Sequence, residues 1–428
     1  MRKQLSFIET IGFCFVLVSS LLIASLSHAA PVSEGRPIVI GAPLSVGFNY
    51  GLGSKQSIIL AAEEINAKGG IIVSGKRHPL KVEVADTRDL EPGVPTSEGL
   101  MVVEKLLLQQ KADFLVGGPI RSEVMLATMD LVSRYKKPSI LSVGAVTPTF
   151  NKRISDDPNK FKYSFRTSGN SINLTTEGLG VTEQLKKQHG FDKVYIMGQD
   201  VAWARASSSL YKSELEKRGF TICGYELYPT GSTDYSMGLL KAKESGAKII
   251  FPWMDMPETS ILINQWYDMK VRALLIGYMV AATHPDYWNG TKGTCEYIAD
   301  LYTKAGTVPT PALPKSVEFV NSYKKRWGKE PISEYDGSCY TAVYVLVDAI
   351  GRAGTLDSDS VAAALEKTDI KGTVMGRVRF DKTHDVIYSQ DPKEGAVSLW
   401  AQWIKGKRVV VYPSEIASGR IELPPWMK

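Results

Sequence analysis

Cysteine is scarce in this 428-residue chain: Cys14, Cys223, Cys295 and Cys339 are too few and too widely spaced for a disulfide framework. A core must therefore hold the fold. Histidine is nearly as rare, and His28, His78, His189, His284 and His384 lie far apart, so the spacing of a metal site is missing. There is no G-x-x-x-x-G-K-S/T, no H-E-x-x-H and no G-x-S-x-G, which leaves phosphate-loop, zincin and nucleophile-elbow chemistry without support. Gly51-Leu52-Gly53-Ser54-Lys55-Gln56 begins like a dinucleotide loop but carries Gln56 where the third glycine belongs. Asp86, Asp89 and Glu91 are interrupted by Arg88 and lack the spacing of a calcium loop. No charge sign dominates: 51 Lys+Arg stand against 45 Asp+Glu, dispersed and without a long basic run, so no nucleic-acid partner is expected. Hydrophobic residues at 44% and charged residues at 22% exclude a mostly disordered or multiply membrane-spanning chain.

One long apolar run does occur. Arg2 and Lys3 precede Ile11–Leu26, and Ser27 and Ala29 supply the small residues of a cleavage site. Sixteen residues fall short of the roughly 20 that cross a bilayer core, which disfavours an uncleaved anchor. Residues 1–29 therefore read as a signal peptide removed after Ala29, and the protein as exported. Loss of Arg2, Lys3 and Glu9 leaves 49 − 44, a mature charge of +5. Among the three remaining cysteines one disulfide is permitted, but no pair is singled out.

The length calls for two or three domains. Candidate strands are Ile38–Gly41, Leu80–Ala85, Phe114–Val116, Ser139–Val143, Val194–Met197, Thr221–Leu227, Ile249–Trp253 and Ala273–Ile276. Several are continuous apolar runs, as expected of parallel strands covered on both faces. Helical patterns lie between them, at Ser54–Lys68, Thr96–Gln110, Val124–Tyr135, Thr175–His189, Ser207–Arg218, Pro257–Met269 and Tyr340–Arg352. The alternation predicts an α/β fold with parallel sheets. A closed barrel fits less well. Thr307–Pro314 is a proline-rich loop, roughly Lys315–Lys367 is a long helical section without clear strands, and Ser398–Ile404 with Arg408–Tyr412 forms a hairpin about Lys405-Gly406-Lys407.

Open α/β sheets bind ligands beyond the carboxyl ends of their strands. The loops there are Gly41–Gly51, Gly117–Ser122 and Gly144–Pro148, whose glycines expose backbone N–H groups beside helix starts and favour a carboxylate. Ile38–Gly41, Glu63–Gly70, the Gly117 and Ser142–Pro148 loops, and Gly372–Gly376 followed by Phe380, Asp381 and Asp385 together resemble the periplasmic leucine/isoleucine/valine-binding protein family. The similarity extends over most of residues 36–400. It implies two Rossmann-like lobes joined by a three-crossing hinge, 36–170 with 303–372 and 171–302 with 373–428, crossing near Asn170, Tyr302 and Thr373. It further implies a periplasmic substrate-binding subunit of an ATP-driven (ABC) importer, a monomer working with membrane permease and ATPase subunits, with no cofactor, metal or catalytic residue.

Carried over by position, the resemblance puts Tyr50, Arg121, Ser122, Gly144, Ala145, Val146 and Thr147 in the first-lobe pocket, and Trp203, Asp255, Tyr278 and Met279 in the second. Departures bear on the solute. Val146 replaces the usual threonine unless Thr147 reaches in. Met279 stands where an acid neutralises an amino acid's ammonium, so Asp255 would have to substitute, and Arg121 strengthens the grip on an anion. The expected solute is a small carboxylate-bearing molecule, either an amino acid or an organic acid, aromatic if Tyr50, Trp203 and Trp253 line the pocket. A ligand sensor built on the same clamshell, or an exported enzyme, are the rival classes; no output domain or nucleophile–base pair supports them.

Overall fold

A computed structural model describes residues 34–428, so the signal-peptide reading lies outside the described residues. Two open sheets organise the chain. The first is parallel throughout, in the order β4 (Leu80–Asp86), β1 (Ile38–Leu44), β5 (Phe114–Gly117), β6 (Ser139–Leu141), β7 (Ser164–Arg166). The second runs β9 (Thr221–Tyr228), β8 (Lys193–Gln199), β10 (Ile249–Met254), β11 (Leu274–Met279), β12 (Ala299–Tyr302), β15 (Leu399–Ile404), β16 (Lys407–Tyr412), parallel until the last two strands turn antiparallel. Two small hairpins, β2 (Ile71–Val73) with β3 (Lys76–His78) and β13 (Asp369–Thr373) with β14 (Gly376–Arg379), complete the strands. The barrel is thus excluded.

The apolar runs make sense once both faces are considered. In β5, Phe114 and Val116 join the large core cluster while Leu115 joins a second one with Val103, Leu107, Leu131 and Val132. In the other lobe Ile249, Phe251 and Trp253 face one way, and Ile250 and Met254 the other. Strands covered on both sides need hydrophobic residues at every position, hence the missing alternation. The Gly51–Gly53 motif serves packing and not a nucleotide. A Cβ on Gly51 would lie 2.2 Å from the Ser45 carbonyl oxygen, and one on Gly53 would lie 2.4 Å from Oδ1 of Asp336. These glycines let helix Asn49–Ala67 close on the first-strand loop and on helix Asp336–Ala353.

The lobes are joined three times. The chain leaves the first sheet after β7 and enters helix Ser171–His189, and it returns after β12 to helices Pro314–Trp327 and Asp336–Ala353. The third crossing comes later than the expected Thr373. Residues 380–386 still belong to the first lobe, where Phe380 and His384 pack on Phe165 of β7, and Asp385 bridges Arg166. Only between Val386 and Leu399 does the chain reach the second sheet. Sequence pattern missed this because β7 is three residues long, too short to show a period. Cys223, Cys295 and Cys339 are all free thiols. No described helix is long and apolar enough to cross a membrane.

The Arg166–Asp385 pair is fully enclosed. Nε donates to Oδ1 at 2.5 Å and Nη2 to Oδ2 at 2.7 Å, while Asn151 and Asn170 each donate to Oδ2 at 2.6 Å. Burial pushes the Asp385 carboxyl up, but the Arg166 charge and these hydrogen bonds outweigh it and hold it below the usual carboxylate range. A carboxyl depressed by folding contributes stability above its unfolded value, near 3.9, and loses it as pH falls through the folded value. Asp385→Ala, which strands the Arg166 charge, should therefore cost about 3–5 kcal/mol in denaturant unfolding. The variant should also lose less stability than the parent below about pH 4; equal unfolding midpoints at neutral pH would contradict this.

Candidate functional site

In each sheet the strand order reverses direction at one place, between β1 and β5 and between β8 and β10, and the loops on either side part to leave a crevice. The two crevices face each other across a cavity of about 640 Å³. From the first lobe come Asp89–Pro92 after β4, Ile120–Glu123 after β5 and Gly144–Pro148 after β6. From the second come Asp200–Trp203 with Arg205 and Ala206 after β8, Thr230 after β9, Asp255 and Met256 after β10, and Tyr278 at the end of β11. Leu126 of helix Ser122–Tyr135, Ser171 on the first crossing, and Tyr335 complete the wall.

Nine of the eleven residues expected in the pocket line this cavity: Arg121, Ser122, Gly144, Ala145, Val146, Thr147, Trp203, Asp255 and Tyr278. Tyr50 is off the wall but belongs to the same junction, its hydroxyl donating across the cleft to the Asp255 carbonyl at 2.6 Å. Met279 is misplaced by the sequence reading. Side chains alternate along a strand, so with Tyr278 toward the cavity Met279 points the other way, into the core with Met254 and Leu275. Trp253 is likewise core, packed on Phe251 and Tyr211.

Asp255 is the most heavily engaged of these residues. Its Oδ2 accepts from Arg121 Nη1 at 3.0 Å and from Trp203 Nε1 at 2.9 Å, and its backbone N–H donates to Gln199 at 3.1 Å. Arg121 comes from the first lobe and Asp255 from the second, so this ion pair spans the cleft. A second tie lies behind it: the Tyr278 hydroxyl donates to Glu334 at 2.5 Å, and the Thr303 N–H to the other Glu334 oxygen at 3.0 Å. Burial pushes the Glu334 carboxyl up to about 7, against these hydrogen bonds.

The loop Gly144–Thr147 owes its shape to Arg166, which sequence reasoning did not identify. Its Nη1 donates to the carbonyls of Ala145 and Thr147 at 3.0 Å each. With those carbonyls drawn inward, the N–H groups of Val146 and Thr147 have no partner among the described residues. Two helix starts lie nearby, Ser122–Tyr135 and Ala202–Lys217, and neither has a side-chain cap, so their first-turn N–H groups have no partner among the described residues. Orphan N–H groups and helix N-termini offer this part of the cavity donors suited to an anion. Trp203 and Tyr278, edge to face at 5.4 Å, together with Tyr335 and Val146, give an apolar wall for an organic group.

Residues 43–389 match the family model described as periplasmic binding protein. The chain belongs to this family. Among curated relatives, a Leu/Ile/Val-binding protein homolog 8 of Brucella abortus is 25% identical over 385 residues, covering 86% of this chain and 88% of the relative. Two solved structures share the fold with TM-scores of 0.69. One is the branched-chain amino acid transporter substrate-binding protein LivJ of Streptococcus pneumoniae in complex with isoleucine (20% identical, covering 88% of this chain and 100% of that one). The other is an ABC-transporter solute-binding protein of Rhodopseudomonas palustris with 3,4-dihydroxybenzoic acid (18% identical, covering 91% and 99%).

Within this periplasmic binding protein two further features escaped sequence reasoning. Tyr335 and Glu334 come from the link just before helix Asp336–Ala353, inside a section whose helical pattern carried no sign of a ligand role. Ala145 sits at φ +48°, a left-handed conformation that costs a non-glycine residue about 1–2 kcal/mol. Its neighbour Gly144 is required by contact, since a Cβ there would lie 2.6 Å from Ile120 Cγ2. Ala145→Gly should relieve the strain and stabilise the fold by about 1 kcal/mol, seen as a raised Tm; a lowered Tm would contradict the account of this loop.

Proposed function

We propose that this periplasmic binding protein is the solute-binding component of an ABC importer and traps a small carboxylate-bearing solute, an amino acid or a related organic acid, between its lobes. The observation that carries the reading is the convergence of unclaimed N–H groups from Val146, Thr147 and two uncapped helix starts beside Arg121, in a cavity with an aromatic wall. The first group of donors suits a carboxylate and the wall suits its organic body. The two structural neighbours hold isoleucine and 3,4-dihydroxybenzoic acid, and a carboxylate is what those ligands share.

The mechanism is a hinge equilibrium. Solute touches both walls only when the lobes meet, so binding shifts the population toward closure. The Arg121–Asp255 bridge, partly solvated at 24% and 17% side-chain exposure, contributes on the order of 1 kcal/mol or less by itself and leaves the solute to decide the equilibrium. In this reading residues 1–29 direct export and are removed. The mature monomer makes and breaks no covalent bonds, and a membrane permease with its ATPase subunits reads the closed shape.

Calorimetry of the mature protein against a panel of amino acids and organic acids tests this. A bound solute at about 100 times its Kd should add about 2.7 kcal/mol to stability, visible as a raised Tm. Silence from every member of both classes would contradict the proposal.

A further inference from the structure

An α-amino acid brings a cation as well as an anion into the cleft, and an ammonium taken out of water without a counter-charge or a set of acceptors is strongly disfavoured. The wall carries five carboxylates, and each can be asked whether it is open to such a group. Asp89 is 8% exposed; its Oδ2 accepts the Arg121 N–H at 2.7 Å and its Oδ1 the Thr87 hydroxyl. Glu91 is paired with Arg88 at 2.6 Å and Asp200 with Arg205 at 2.5 Å. Glu123 is exposed on the outermost turn of its helix, where water already solvates it.

Asp255 is the carboxylate best placed to hold an amine, and it is already occupied. Arg121 and Trp203 both donate to Oδ2, so the cation is supplied by the protein. Oδ1 is closed off from solvent and has no partner among the described residues. With Oδ1 withdrawn from solvent, an ammonium would have to approach Oδ2, where it would lie beside the Arg121 guanidinium. Met279, which follows Tyr278 along β11, is buried in the core and offers nothing. Although Asp89 takes the Arg121 N–H, the N–H groups of Val146 and Thr147 and those of the first turns of the two uncapped helices have no partner among the described residues.

From this asymmetry we infer that the solute is an organic acid without an α-ammonium group, its carboxylate among these donors and its apolar or aromatic body against Trp203, Tyr278 and Tyr335. The inference rests on the solute-binding reading above and narrows it. Asp255 acts as a positioning residue: it fixes Arg121 from one lobe and Trp203 from the other, and touches the solute through neither oxygen.

Matched pairs that differ only in the amine test it: calorimetry of the mature protein with leucine against 4-methylpentanoate, and with phenylalanine against 3-phenylpropanoate. The amine-free member should bind at least about tenfold more tightly, a difference of about 1.4 kcal/mol. Equal affinities, or a preference for the amino acid, would overturn the inference while leaving the solute-binding reading intact. Binding by none of the four, nor by benzoate, would remove the carboxylate reading on which it rests. Asp255→Asn supplies an independent check. Both members of a pair should weaken together, because the loss acts through Arg121 and Trp203. A loss confined to the amino acid would put its ammonium on Asp255 and overturn the assignment.

Discussion

The guanidinium of Arg166 and the carboxylate of Asp385, 219 positions apart and both shut away from solvent, fasten three parts of the molecule to one point. Arg166 ends the edge strand of the first sheet. Asp385 belongs to the segment that prepares the last crossing into the second lobe. The remaining guanidinium donors seize the carbonyls of Ala145 and Thr147 and so set the orientation of the loop that faces the cavity. A buried ion pair adds little net stability over an apolar substitute, but breaking one partner is costly. What it supplies here is geometry: a hinge strand, a return segment and a ligand loop cannot move independently while the pair holds.

A different pair works at the mouth of the cleft. Arg121 and Asp255 sit on the loops at the switch points of their sheets, so the topology that opens each crevice also brings these two charges face to face. Because the bridge is partly solvated it is a weak fastener, which suits a clamp that must reopen. Its second effect is electrostatic. By neutralising one another, the two side chains leave the backbone N–H groups of Val146 and Thr147 as the donors a carboxylate would meet, which is the proposed reading of the site.

Much of this was legible in the sequence because it depends on local pattern. Continuous apolar runs announced parallel strands covered on both faces, the Lys405-Gly406-Lys407 turn announced the closing hairpin, and the glycine-bearing loops after β5 and β6 marked the carboxyl ends where ligands bind. What stayed hidden depends on pairing over distance or on very short elements. Arg166 lies in a three-residue strand with no period to read, so neither its pairing with Asp385 nor the late third crossing could be seen. Arg121 was expected to strengthen the grip on an anion, yet nothing local shows that Asp255, 134 positions on, would take its charge. Tyr278 and Met279 were both assigned to the pocket by position from the resemblance; strand alternation sends one to the cleft and the other to the core.

The central claim is that two lobes close around a carboxylate-bearing solute, and small-angle X-ray scattering measures closure most directly. Curves recorded for the mature protein alone, and with a saturating carboxylic acid that calorimetry has shown to bind, should give a smaller radius of gyration when the solute is present. Superimposable curves at demonstrated saturation would contradict the clamp.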